Sequence, residues 1–127
     1  MKCLLDTHLV WWWEANHPRL NDNAKKLIAT EAVFVSRASL WEIAIKVANG
    51  RLKVDVAKFA RTIEQHGFEW LDIRNEHILA LASLPLHEDH RDPFDRMRVA
   101  QSLTEPLLLL LTADAALAPY GATVRVV

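Results

Sequence analysis

The chain has a single cysteine, Cys3, among its 127 residues, so neither an internal disulfide nor a cysteine-based zinc site can be built, and a reducing compartment fits best. Glycine is also scarce, three in all, and no Gly-rich loop is present to cradle a phosphate. Charge of one sign is not in excess: 15 Lys and Arg stand against 16 Asp and Glu, a formal charge of -1. Bulk electrostatics therefore does not drive adhesion to nucleic acid or to anionic lipid, and any nucleic-acid contact must be local. Long apolar runs are missing too. Residues 107–111 fall far short of a bilayer span, and Asp6 and His8 interrupt the start of the chain before a leader-type apolar stretch develops. These absences predict a cytoplasmic protein without a membrane partner.

What is present is an ordinary globular composition, 51% hydrophobic and 24% charged, which is enough for a packed core. The length suits one domain, residues 1–127, and no linker, repeat or low-complexity tract marks a boundary. Short apolar runs alternate with helical patterns. KCLLD from Lys2, AVFVS from Ala32, FEWLDI from Phe68, LLLLLT from Leu107 and the terminal TVRVV read as strands. Between them, Asn21, Asp55 and Asn75 precede residues that recur at helical spacing, with Gly67 as a stop. Nearly all-apolar strands separated by helices predict a mainly parallel sheet covered on both faces, a three-layer α/β/α domain.

The placement of acids relative to strands carries the chemistry. Asp6 closes the first strand, Glu42 lies on the helix entered from the second, Asp95 opens a helix after the polar loop of residues 85–93, and Asp114 follows the fourth strand. Carboxyl ends of parallel strands form the ligand-binding edge of such sheets, so the four can converge on one rim. Converging carboxylates resist joint ionisation without a cation, and an all-oxygen set suits Mg²⁺ or Mn²⁺. Such ions activate water and offset charge in phosphoryl transfer, which points to phosphodiester hydrolysis.

Each acid also has a purely structural reading of about equal weight. Asp6 and Asp114 can cap helices; Asp92 makes an N-cap before Pro93, leaving Asp95 as a first-turn acid; Glu42 and Lys46 are spaced as a surface ion pair. Other chemistry is weaker. His87, Glu88, Asp89 and His90 lack the histidine spacing of a metalloprotease helix and read as a solvated loop. Ser36 and Ser39 have no nucleophile elbow, and Ser36 reads as the cap of the Glu42 helix. Trp11, Trp12 and Trp13 cannot all face one way on a helix, so at least one ring meets solvent, a ligand or a partner.

Four ordered blocks, LLDTHLVWW, SRASLWEIAIKVANGRL, HRDPFDRMRVAQ and LLLLTADAALAPYG, each carrying an acid, make the chain resemble the PIN-domain toxin ribonucleases of VapBC-type toxin–antitoxin pairs over nearly its whole length. The resemblance implies a Mg²⁺- or Mn²⁺-dependent endoribonuclease with catalytic, metal-holding Asp6, Glu42, Asp95 and Asp114. Thr7, Ser39, Asp92 and Thr112 are expected in support, and Lys46, Arg91, Arg96 and Arg98 as holders of RNA phosphates, Arg96 equally as a structural partner of Asp92 or Asp95. It further implies a cognate antitoxin, for which Trp11, Trp12, Trp13 and Trp41 offer apolar surface, and is compatible with a homodimer. Arg37 stands where the pattern has a small residue, which predicts an altered substrate approach. Two other readings remain: a non-catalytic PIN-like module that binds RNA or protein, and a phosphoacceptor receiver domain. The receiver is the poorer, since Asp6 is alone at the first strand end and no lysine follows Lys58.

Overall fold

Apolar runs become strands where both faces of the sheet are covered. The computed structural model describes residues 1–87 and 91–127, so Glu88, Asp89 and His90 of the polar loop lie outside the described residues. Strand β1 (Lys2–Leu5) leads into helices α1 (Thr7–Ala15) and α2 (Asp22–Thr30), then β2 (Ala32–Ser36) into α3 (Arg37–Ala48) and α4 (Val56–Gln65). Strand β3 (Glu69–Leu71) is followed by α5 (Asn75–Ser83) and α6 (Pro93–Thr104), and β4 (Leu108–Thr112) by a 3₁₀ turn over Ala115–Tyr120 and β5 (Val124–Val126).

The sheet is parallel throughout, in the order β3-β2-β1-β4-β5. The chain steps outward from β1 to β3 and then returns to the other side of β1, so crossovers of constant hand place α1 to α4 on one face and α5 and α6 on the other. Alternate strand residues feed two cores. Cys3, Leu5, Val35 and Leu111 pack with Leu9, Ile28, Ile43 and Phe59, whereas Leu4, Leu108 and Leu110 pack with Leu84, Val99 and Leu117. All five residues of β4 are buried, which is why its sequence shows no polar alternation. Burial pushes the Cys3 thiol pKa up, in keeping with an inert core residue.

The edge strands are shorter than their sequence runs predict. Phe68 joins the core without pairing, and Asp72, beyond the end of β3, is exposed. Helix starts follow the capping residues: Asn21, Ser36, Asp55 and Asp92 each accept a backbone N–H of the first turn. At α5 the cap is Arg74 rather than Asn75, because the His77 ring accepts the Arg74 N–H and Asn75 becomes the first helical residue. Strand order reverses between β1 and β4, where a crevice opens at the carboxyl ends of the two strands.

Candidate active site

Asp6 leaves β1 at that crevice and caps α1, so the structural and the chemical readings of this residue hold together. Its Oδ1 accepts the His8 N–H at 3.0 Å and its Oδ2 accepts the Thr112 hydroxyl at 2.7 Å, across the gap to β4. The Thr112 oxygen in turn accepts the Asp114 N–H at 3.1 Å, which leaves its one proton to be directed at Asp6. Asp114 is exposed and caps the 3₁₀ turn by accepting the Ala116 N–H.

Glu42 and Asp95 arrive from two other helices. Ser36 starts α3 by accepting the Ala38 N–H, and Glu42 lies buried further along that helix. Asp92 starts α6 by accepting the N–H groups of Phe94 and Asp95, which sets Asp95 in the first turn, where the helix dipole favours an acid. Between the two carboxylates lies Arg98, only 2% exposed. Its Nη1 donates to Glu42 Oε1 at 3.1 Å and to Ser39 Oγ at 3.0 Å, and its Nη2 donates to the Asp95 carboxylate. Lys46 Nζ holds the other Glu42 oxygen at 2.9 Å. Thr7 Oγ1 reaches Glu42 Oε1 only at 3.5 Å, a weak contact.

All four acids line one cleft of about 630 Å³, together with Asp92, Lys46 and Arg98. Its electrostatics are uneven. Burial works against ionisation of Asp6, but the His8 ring and N–H, the Arg98 charge and the Thr112 hydroxyl outweigh it and hold the carboxyl down to about 2. Asp95 moves the other way: burial, aided by the Asp92 charge, raises it despite Arg98. The His8 ring is raised by its contact with Asp6. Arg98 is raised in spite of burial, by Asp95, Asp6 and Glu42.

Asp6 thus binds its proton more weakly folded than unfolded, so acid draws protons to the unfolded chain first. In the metal-free protein its contribution, about 2 kcal/mol, is whole from about pH 5 up to where His8 gives up its proton, and disappears as the pH falls through about 2. Urea unfolding of wild type and Asp6→Asn should show a stability gap that closes over this range; a gap independent of pH would contradict the environment described for Asp6.

Several expected roles are relocated. Arg98, expected on RNA phosphates, is enclosed by carboxylates instead, because α6 packs on α3 at this point. Arg96 pairs with neither Asp92 nor Asp95 in the hydrogen bonds described. It donates to Leu84 O, Pro85 O and the Tyr120 hydroxyl, tying the end of α5 to the 3₁₀ turn. Arg91 is exposed and Lys46 partly so, and both keep access to solvent. Arg37 pairs with Asp72 and lies over the Trp70 ring, which occupies it in a surface contact.

The three consecutive tryptophans are all partly buried. All three pack against the core; Trp11 sits edge-on to Phe59 and Trp12 stacks on His17, and these two, unlike Trp13, also line the cleft. Trp41 is 57% exposed, edge-on to Phe94. Sequence reasoning missed His8, Arg19 and Arg51 as cleft residues. His8 adjoins Asp6 closely enough to have been suspected; the two arginines come from loops and carry no spacing signal.

The chain matches the PIN domain family over residues 3–121. Its fold is similar to the crystal structure of VapBC2 from Rickettsia felis bound to a DNA fragment from its promoter, with a TM-score of 0.67 at 13% identity, covering 100% of this chain and 98% of that one. No curated protein matches the chain by sequence.

Proposed function

The chain belongs to the PIN domain family, and from that premise we propose that it is a metal-dependent endoribonuclease, the toxin component of a type II toxin–antitoxin pair acting in the cytoplasm. The observation that carries the reading is the convergence of Asp6, Glu42, Asp95 and Asp114, from four separate segments, on one cleft at the point where strand order reverses.

The donors in the cleft fit Mg²⁺ or Mn²⁺, because they are carboxylate and hydroxyl oxygens with no thiolate among them. Asp6, Asp95, Asp114 and Glu42 would hold the ion directly or through water. An ion bound there supplies a more acidic water and offsets charge at the phosphorus of an RNA phosphodiester. The chain's own groups do the rest. Thr112 keeps Asp6 turned toward the crevice, Ser39 and Arg98 fix Glu42 and Asp95, and Asp92 starts the helix that presents Asp95. Lys46, Arg19 and Arg51, which line the cleft, and the exposed Arg91 would hold flanking phosphates, with contacts that weaken with salt. Purified protein should cleave RNA with Mg²⁺ or Mn²⁺ and lose that activity in EDTA; cleavage undiminished by excess chelator would overturn the reading.

The partner follows from the same surface. A toxin must be silenced by its antitoxin, and the cleft offers aromatic anchors in Trp11 and Trp12 beside carboxylates that attract an arginine. Trp12→Ala should weaken antitoxin binding by roughly 2 kcal/mol and also lower the melting temperature, since the ring both lines the cleft and packs on the core. Trp13→Ala should lower the melting temperature and leave antitoxin affinity unchanged, since that ring packs on the core without lining the cleft. Calorimetric titration with the antitoxin, beside melting curves, checks both; unchanged affinity for Trp12→Ala would remove this segment from the interface.

A further inference from the structure

The walls of the cleft change character along their length. Both begin on acids, with Asp6 at the start of α1 and Glu42 on α3. The chain then runs to aromatic and basic groups, His8, Trp11 and Trp12 on α1 with Arg19 beyond it, and Lys46 on α3 with Arg51 beyond it. Resting on the metal-nuclease reading for its substrate, we propose that the aromatic and basic part is a nucleobase subsite. In it, an unpaired base of the RNA stacks on the Trp12 indole while Arg19 and Arg51 hold the adjoining phosphates.

Three observations support this. First, residues 8, 11 and 12 are spaced i, i+3 and i+4, so their rings share the face of α1 that lines the cleft. At about 1.5 Å per residue, Trp12 lies ~9 Å along the helix from Asp6, the rise of two or three stacked nucleotides at about 3.4 Å each. Second, the Trp12 ring is held. It packs against the core and lies nearly parallel to His17, 5.0 Å between centroids and 14° between planes, so its plane is set before a ligand arrives. A base stacked on it from the cleft would extend that pile. Trp11 is instead bracketed by edge contacts with His8 and Phe59, and flanks the subsite. Third, the two loop arginines are uncommitted. Arg37, Arg74 and Arg98 are each paired with carboxylates, whereas neither Arg19 nor Arg51 has a carboxylate partner among the described residues. Unpaired cations beside aromatic rings are the combination that holds single strands, because charge tracks the backbone and π-faces take the bases.

The consequence is a division of labour in which the acids serve the phosphodiester and the Trp12 end reads what lies a few nucleotides away. An antitoxin covering Trp12 would displace a base as well as screen the acids.

A base-free strand tests the idea. Binding of a labelled oligoadenylate, and of an abasic ribose-phosphate strand of equal length, is followed by fluorescence anisotropy in EDTA, with cleavage in Mg²⁺ or Mn²⁺ measured in parallel. Wild type should prefer the oligoadenylate by about 10-fold. Trp12→Leu, which keeps an apolar side chain against the core, should lose that preference, and Trp12→Phe should keep most of it. Arg51→Gln should weaken both strands alike and flatten their salt dependence. Equal binding of the two strands by wild type, binding of neither, a preference that survives Trp12→Leu, or unchanged binding in Arg51→Gln would overturn the proposal. Should Trp12→Leu fail to fold, ultraviolet crosslinking of wild type to the oligoadenylate decides: the crosslink is expected on the peptide bearing Trp12, and crosslinks confined to other peptides would overturn it. Cleavage without a base preference would refute the subsite and leave the nuclease reading standing, and a base preference without metal-dependent cleavage would do the opposite.

Discussion

Asp6→Asn is expected to lower metal-dependent RNA cleavage by about 100-fold or more while leaving the protein folded. Loss of residues that merely orient metal ligands commonly costs 10- to 100-fold, and Asp6 is proposed to touch the ion itself. The substitution removes a charge without removing volume, and the amide oxygen can still accept the Thr112 hydroxyl that now reaches Asp6 Oδ2. Asp95→Asn and Asp114→Asn should lose activity to a similar extent, because all three carboxylates serve one cation. Asp92→Asn should be milder, since asparagine also caps helices and Asp92 spends its Oδ1 on the N–H groups of Phe94 and Asp95. Cleavage assays on each purified variant, with melting curves to confirm folding, measure the effect. Full activity in two or more of the Asp6, Asp95 and Asp114 variants would refute the assignment of the centre.

How far such a centre can be read from sequence depends on which physical constraint places each residue. Strands β1, β2 and β4 are legible because burial on both faces demands unbroken apolar runs, as in residues 108–111. The edges are less legible: β3 pairs on one side only, and its pairing stops before Asp72 and Ile73 although the apolar pattern continues. Asp6 and Asp114 are marked by their positions just beyond buried strands. Glu42 and Asp95 are not, because their meeting depends on how α3 and α6 cross the sheet, and here the family resemblance carries what local pattern cannot.

Arg98 shows why the remainder was illegible. An arginine three residues after an acid on a helix normally describes an exposed pair of small energetic value, and nothing local distinguishes a buried one. A helical phase argument does separate it from Arg96: residues 95 and 98 share a face, while 96 is turned from it. That phase matches the structure, in which Arg98 meets Asp95 and Arg96 meets Tyr120. The burial of Arg98 against Glu42, however, is purely tertiary.

That burial reverses an expectation about stability in the absence of metal. Four carboxylates in one cleft suggest that neutralising any of them relieves repulsion and leaves the protein as stable or more so. With Arg98 among them, Glu42→Gln should instead destabilise the metal-free protein by roughly 2 kcal/mol. Removing one partner of a buried pair typically costs about 3 to 5 kcal/mol, since the other charge is left without compensation. The cost is placed below that range here because Asp95 still pairs with Arg98 and the glutamine oxygen can still accept from its Nη1. For a chain of this length such a loss lowers the melting temperature by on the order of 8 °C. Asp114→Asn provides the contrast, because Asp114 is exposed and asparagine can still accept the Ala116 N–H, so its substitution should change stability by no more than about 0.5 kcal/mol. Melting curves of both variants and wild type in EDTA at neutral pH make the comparison. A Glu42→Gln protein as stable as wild type, or more stable, would mean that carboxylate repulsion outweighs the Arg98 pairing and that the metal-free centre is not held together by its own arginine.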